Sequence, residues 1–137
     1  MIRWAIVDTG PLVALLDADD RHHSWAKEVF HSVQAPLLAC EPAITEALFL
    51  LRALPEARDK VLEWIERGSL SLSFSLANEA APVRALLRRY HDVPMSLADA
   101  CLVRMAEMND RHHILTLDSD FSVYRKNGRE PLSLISP

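Results

Sequence analysis

The 137-residue sequence predicts an α/β fold in which a mainly parallel sheet carries helices on both faces. Short apolar runs typical of buried strands alternate along the chain with longer segments of helical periodicity. Half of the residues are hydrophobic, and no repeat, linker or low-complexity segment divides residues 1–137. We therefore expect the whole chain to form one globular domain.

The first half of the chain predicts two strands and four helices. Directly after the first apolar run, Thr9 or Gly10 can cap a helix and Pro11 suits its first turn. Pro42 and Pro55 open two further helices. The predicted strands are residues 4–7 and 37–40, and the predicted helices are residues 12–16, 24–33, 42–51 and 55–67.

The second half of the chain predicts three strands and three helices. Alternation of apolar residues with serines predicts a strand over 70–74 with one wetter face. Apolar residues at helical spacing predict an amphipathic helix over 78–90, and Ser96-Leu97-Ala98-Asp99 matches a capping box that opens a helix to about Met108. The remaining predicted elements are strands over 114–117 and 132–135 and a short helix over 119–126.

The formal net charge of −4 argues against tight binding of nucleic acid without a metal, since proteins that bind phosphate are usually basic. Without four candidate site acids, however, the 15 Lys and Arg balance the remaining Asp and Glu. No apolar stretch approaches the roughly 20 residues of a membrane helix, and the start resembles no secretory signal. Cys40 and Cys101 form no disulfide framework and are interpreted as small core residues, so we expect a cytoplasmic protein.

Four carboxylates, those of Asp8, Glu46, Asp99 and Asp118, lie where an apolar strand ends or a helix begins. The carboxyl ends of parallel strands meet at one edge of a sheet, so the fold can gather these distant acids. Clustered carboxylates repel one another, and a hard divalent cation is the usual way to hold them together. The pattern therefore points to metal-assisted chemistry on a phosphate-bearing substrate.

Each acid also has a plainer interpretation. Asp8 can cap the helix that follows it, Asp99 can complete the capping box, and Glu46 can be a solvated surface residue. One of Asp118 and Asp120 can cap the short helix while the other serves as a ligand. Thr116 shares a strand face with Asp118, so its hydroxyl can orient a carboxylate or a water.

The six histidines include two adjacent pairs, His22-His23 and His112-His113. Neighbouring side chains diverge in a helix or a strand, and no pair has the spacing of a zinc helix. We therefore expect solvated loop histidines.

Four segments taken together resemble the PIN-domain ribonucleases, and among them the VapC-type toxins of toxin–antitoxin pairs. The segments are residues 6–12, Glu46 in the helix after the second strand, residues 95–100 and residues 115–121. The resemblance covers essentially the whole chain. It implies Mg²⁺- or Mn²⁺-dependent cleavage of RNA by a three-layer α/β/α domain with a five-stranded, mainly parallel sheet.

The resemblance also implies roles for particular residues. Asp8, Glu46, Asp99 and Asp118 become the catalytic acids, with Asp8, Asp99 and Asp118 as metal ligands. Thr9, Thr116 and Asp120 become supporting residues. Many relatives carry a further acid near the third segment, whereas this chain has Leu102 and Val103 in the turn after Asp99.

Partners follow from the same resemblance and from the surface. Arg84, Arg88 and Arg89, or Arg125 and Lys126, can contact the RNA backbone or simply form solvated faces. A protein antitoxin is implied by the family. Phe49 and Leu50, with Trp64 on the next helix, exceed what one core face needs, so we expect a homodimer.

Two alternatives stay open at this stage. One is a PIN nuclease that processes RNA without being a toxin, and the other is a phosphatase-type or phosphoryl-accepting α/β domain. Against the latter, Gly10 occupies the second acid position of an Asp-x-Asp motif. A non-catalytic binding module would tolerate loss of the acids, and all four are present.

Overall fold

A computed structural model describes residues 1–137 as a five-stranded parallel sheet with helices on both faces and a small antiparallel hairpin. The strands are β1 Ala5–Val7, β2 Leu37–Leu38, β3 Leu70–Ser71, β4 His113–Leu115, β5 Arg125–Lys126, β6 Glu130–Pro131 and β7 Leu134–Ile135. The helices are α1 Thr9–Leu16, α2 His23–Ser32, α3 Glu41–Leu50, α4 Pro55–Arg67, α5 Leu76–Arg89 and α6 Leu97–Met108, with a 3₁₀ helix at Ser119–Ser122.

The sheet has the strand order β3-β2-β1-β4-β7, with β5 and β6 paired separately. Strand β1 is central, and Ile6 lies in register with Leu38 on one side and Ile114 on the other. All neighbouring strands of the large sheet are parallel. The prediction of an α/β fold with a five-stranded parallel sheet is confirmed.

The core has two halves, one on each face of the sheet, because successive side chains of a strand point to opposite faces. Ile6 points into a cluster with residues of α5 and α6, whereas Ala5 and Val7 point into a cluster with residues of α1, α3 and α4. All three residues of β1 are fully buried. The helices therefore form two outer layers around the sheet.

Several predicted elements are shorter in the structure. The strand predicted over 70–74 ends at Ser71, since Phe74 already leads to Ser75, the N-cap of α5. The strands predicted over 37–40 and 132–135 shorten to β2 and β7. Residues just outside β2 and β7 still bond to the neighbouring strands, since the Ala39 amide donates to the Ser71 carbonyl at 3.0 Å and the Ile114 amide donates to the Ser133 carbonyl at 2.8 Å.

The helix predicted over 119–126 is wrong beyond its first turn. A 3₁₀ helix covers Ser119–Ser122, and Arg125 and Lys126 belong to the hairpin strand β5. Asn127 and Gly128 both have positive φ, which builds the tight turn between β5 and β6. The helical periodicity of this segment is overridden by its turn residues.

Helix α1 begins at Thr9 and its N-cap is Asp8, which confirms the capping interpretation of Asp8 and not the cap at Thr9 or Gly10. Helix α5 begins two residues earlier than predicted and is kinked at Glu79, because Pro82 cannot donate the helical hydrogen bond. The capping box at Ser96 and Asp99 is present.

Cys40 and Cys101 are free and buried, as expected. No helix combines the length and the apolar character that a membrane span requires. His22, His23, His112 and His113 are all half-buried, and His23 and His113 belong to α2 and β4, so the expectation of solvated loop histidines is wrong for both adjacent pairs. His113 Nδ1 lies 2.6 Å from Ser133 Oγ.

Candidate active site

The four predicted acids line one cavity of about 530 Å³ at the carboxyl edge of the sheet. Asp8 follows β1 and Asp118 lies just beyond β4, the neighbouring parallel strand. Asp99 enters from the first turn of α6 and Glu46 from the middle of α3. The other lining residues are Thr9, Gly10, Leu50, Pro94, Ser96, Leu117 and Ser119.

Asp8 is the most buried of the four acids and has both carboxylate oxygens engaged. Its Oδ1 accepts a hydrogen bond of 2.8 Å from the Thr9 amide, and its Oδ2 accepts one of 2.8 Å from the Thr116 hydroxyl. Burial raises the pKa of Asp8 to about 6 despite these hydrogen bonds, and the charges of Asp99 and Asp118 add to the effect. A nearby cation would reverse this shift.

The Thr116 hydroxyl links the ends of the two central strands. It donates to Asp8 Oδ2 and accepts a hydrogen bond of 2.9 Å from the Asp118 amide. Thr116 is almost fully buried, which leaves its hydroxyl no solvent partner. The side chain therefore fixes the Asp8 carboxylate relative to the backbone of Asp118.

Asp99 is held by three hydrogen bonds, two of which involve hydroxyl side chains. Its amide donates to Ser96 Oγ at 3.0 Å, and its Oδ2 accepts from the Tyr124 hydroxyl at 2.9 Å and from the Ser96 amide at 3.5 Å. Burial raises the pKa of Asp99, although these hydrogen bonds oppose the rise. Oδ1 has no protein partner among these contacts and is the oxygen available to a ligand.

Asp118 and Glu46 are exposed at the rim. Asp118 caps the 3₁₀ helix, because its Oδ1 accepts a 2.9 Å hydrogen bond from the Asp120 amide. Asp120 itself does not line the cavity. Glu46 Oε2 lies 3.4 Å from the Thr9 hydroxyl, which also lies 3.1 Å from the Ala43 carbonyl and has only one proton to share between them.

Three of the four acids are therefore helix caps as well as cavity residues. Asp8 caps α1, Asp99 completes the capping box of α6, and Asp118 caps the 3₁₀ helix. The interpretation of these acids as helix caps and their interpretation as site residues therefore apply to the same side chains. Capping fixes where each carboxylate lies, and the fold brings them to one cavity.

The donor set of the cavity suits a hard divalent cation. Four carboxylates and the hydroxyls of Thr9, Ser96 and Ser119 line it, and no Lys, Arg, His or Cys does. As the side chains stand, no group of three or more acids, His or Cys is arranged to hold a metal ion by itself. Mg²⁺ fits this arrangement, since it keeps several waters and needs only one or two carboxylates together with substrate phosphate.

The basic residues predicted to contact RNA lie outside the acid cavity. Arg84 and Arg88 line a separate groove on α5. Arg89 donates to the Gly128 carbonyl at 2.6 Å, Arg125 donates to the carbonyls of Ser122 and Tyr124, and Lys126 pairs with Asp110 at 3.4 Å. Their contact with RNA stays a prediction.

The sequence did not predict a role for Tyr124 at the site. It is fully buried, six residues beyond Asp118, and its ring packs edge-on against Tyr90 and Phe121 at centroid distances of 5.1 and 5.3 Å. The irregular turn after Asp118 has no periodicity that would point its hydroxyl at Asp99. The only sequence signal is an aromatic residue close to the last acidic segment.

Residues 5–127 match the family model of the PIN domain, and the chain belongs to this family. The resemblance to VapC-type proteins is confirmed by individual relatives. The chain is 29% identical over 126 residues to ribonuclease VapC26 of Mycobacterium tuberculosis, covering 90% of this chain and 93% of that protein.

Two solved structures share the fold. The Mycobacterium tuberculosis VapC20 structure, described as a sarcin-ricin loop cleaving toxin, has a TM-score of 0.78 at 20% identity, covering 87% of this chain and 93% of that chain. A toxin–antitoxin complex from Klebsiella pneumoniae has a TM-score of 0.64 at 18% identity, covering 86% and 90%.

Proposed function

We propose that this PIN-domain protein is an endoribonuclease that hydrolyses RNA with the help of Mg²⁺ or Mn²⁺ and acts as the toxin of a type II toxin–antitoxin pair. The observation that carries the proposal is the single cavity lined by Asp8, Glu46, Asp99 and Asp118 without a basic or thiol side chain. Such a cavity repels phosphate by itself, so a cation must mediate between the acids and the substrate.

A divalent cation held by Asp8, Asp99 and Asp118 would offset charge on the scissile phosphate and lower the pKa of water. The residues of the chain supply orientation. Thr116 fixes Asp8, and Ser96 fixes Asp99. Exposed Glu46, close to the Thr9 hydroxyl, is placed to accept a proton from water attacking the phosphorus while the bond to the leaving oxygen breaks.

The toxin assignment rests on the kinship with VapC26 and on the fold shared with VapC20 and with a chain of a toxin–antitoxin complex. An antitoxin protein, RNA and a second copy of the chain are the proposed partners, and the cytoplasm is the proposed site of action. A role in RNA processing would use the same cavity and differ in having no antitoxin.

The decisive experiment is cleavage of an RNA mixture by the purified protein with Mg²⁺, with Mn²⁺ and with a chelator. We expect cleavage only with metal, and a loss on the order of 100-fold in Asp8→Asn, since ligands and their close supports commonly contribute that much. Asp59→Asn, an equal change of charge at an exposed position on α4, is the matched control and should cleave normally. Cleavage by Asp8→Asn at the wild-type rate would refute the proposal.

A further inference from the structure

At the amino-terminal end of the sheet, opposite the acids, Trp4 is held in an unusual backbone conformation. Its φ is +54°, a left-handed value that a bulky side chain rarely adopts. The Trp4 carbonyl nevertheless accepts a 2.8 Å hydrogen bond from the His113 amide, which continues the pairing of β1 with β4. The conformation keeps this pairing while 43% of the Trp4 surface stays exposed.

A second anomaly lies beside it. His112 Nδ1 is the one buried side-chain polar atom without a hydrogen-bond partner in the protein. Burial and the neighbouring His113 lower the pKa of His112, so its ring is neutral at pH 7 and has one donor and one acceptor nitrogen. A buried polar atom of this kind is satisfied by a bound water or by a ligand.

Two adjoining cavities, of about 450 and 300 Å³, share Trp4 and His112. Arg3 and Gln34 line the larger one, and Arg111 lines the smaller one. The Arg111 guanidinium carbon lies 5.5 Å from the centroid of the Trp4 ring. Asp110, the one acid in the lining, is paired with Lys126 at 3.4 Å.

These residues combine the features that recognise a nucleotide. An exposed indole offers a face for a base, and two guanidinium groups can bind phosphate. A neutral imidazole and an amide can donate to and accept from the edge of a base. Arg3 and Arg111 beside the indole favour a ligand that joins an aromatic ring to an anionic group, which a nucleotide does and an apolar protein segment does not.

We propose that Arg3, Trp4, Gln34, Arg111 and His112, the Trp4 site, bind one nucleotide unit, with the base against the indole and the phosphate between the two arginines. The source of that unit is single-stranded RNA. The choice of RNA as the ligand rests on the proposed function, and it explains how RNA is held by a protein whose acid cavity is lined by no basic side chain. Nucleotide recognition at the site stands independently of catalysis.

The test measures the affinity of a labelled RNA of about eight nucleotides by fluorescence anisotropy in the presence of a chelator, so that cleavage plays no part. We expect Trp4→Leu and Arg111→Gln each to weaken binding about 10-fold, and Trp4→Phe, which keeps an aromatic face, to bind within about 3-fold of wild type. Arg58→Gln, at an exposed position on α4, removes the same charge elsewhere and should change little.

A second arm measures the quenching of tryptophan fluorescence by AMP in the wild type and in Arg111→Gln, which keeps Trp4. AMP binding can also be the only binding that Arg111→Gln changes. If AMP affinity falls about 10-fold in this variant while RNA affinity is unchanged, the site binds a free nucleotide and does not bind RNA. Equal RNA affinity of wild type, Trp4→Leu and Arg111→Gln together with equal AMP binding by wild type and Arg111→Gln, or no binding of either probe, would overturn the Trp4 site. Because both arms lack metal, the result does not depend on whether the protein cleaves RNA.

Discussion

The hydroxyl of Tyr124 donates a hydrogen bond of 2.9 Å to Oδ2 of Asp99, deep beneath the acid cavity. This contact occupies one carboxylate oxygen and leaves Oδ1 for the cavity. The ring that delivers it is wedged between Tyr90 and Phe121 and cannot easily rotate away. Tyr124 is therefore a positioning residue for Asp99, comparable to Thr116 for Asp8.

Tyr124→Phe should lower the affinity for Mn²⁺ by roughly 10-fold, because outer partners of metal ligands commonly contribute 10- to 100-fold. Calorimetric titration of the pure protein measures this without an activity assay. Tyr90→Phe is the matched control, since its hydroxyl accepts from the Arg125 amide and does not touch Asp99. It should cost stability but leave the affinity for Mn²⁺ unchanged. Equal affinities in all three proteins would show that Tyr124 only fills space.

The stability of the metal-free protein should depend on pH through Asp8. Its pKa rises from 3.8 to about 6 on folding, so the folded state binds this proton more tightly than the unfolded state does. The contribution of Asp8 to the free energy of unfolding is therefore fully present below about pH 4 and is lost as the pH rises through about 6. Asp8→Asn lacks this loss, so its melting temperature relative to wild type should increase between pH 4 and pH 7.

The same pKa predicts how metal binding responds to pH. Since a cation requires the ionised carboxylate, the affinity of the wild type for Mn²⁺ should fall as the pH drops below about 6. Binding at pH 6 should release a proton, which calorimetry detects as a dependence of the heat on the buffer. An affinity that is constant from pH 5 to pH 7.5 would contradict the assignment of Asp8 as a ligand.

The exposed apolar residues of α3 predict a homodimer. Phe49 and Leu50 are 60% and 49% exposed. Trp64 on α4, which we expected to belong to the same exposed patch, is partly buried and packs against the core. We expect light scattering to report a dimer at tens of micromolar and Phe49→Glu to shift it to a monomer. Leu76→Glu, the same change at a half-exposed leucine of α5, is the control. A wild-type monomer would remove this prediction.

The acid cavity also predicts how an antitoxin would inhibit the protein. A lysine or arginine of an extended partner segment would complement the carboxylates and displace the metal. Asp8→Asn combined with Asp99→Asn should therefore weaken antitoxin binding, and excess Mg²⁺ should compete with it. Calorimetry on the cognate pair tests both effects, and an affinity insensitive to both would place inhibition elsewhere.

The local sequence determined most of the secondary structure and the identity of the acids. Pro42, Pro55 and the Ser96 capping box each mark a helix start by chemistry confined to a few residues, which is why those boundaries were predicted well. Asp8 and Asp118 could be chosen because each stands just beyond an apolar strand. Segment 119–126 failed because turn residues and the pairing of β5 with β6 outweighed its helical character.

Tertiary structure alone decided what surrounds the acids. The pairing of Thr116 with Asp8 spans 108 residues, and that of Tyr124 with Asp99 spans 25 across an irregular turn. Neither follows from propensity or period, because both depend on how β1 lies beside β4 and how α6 packs over the chain end. The raised pKa of Asp8 likewise comes from burial, a property of the whole fold. The sequence determined which residues carry charge, and packing determined how strongly each holds its proton and which way it points.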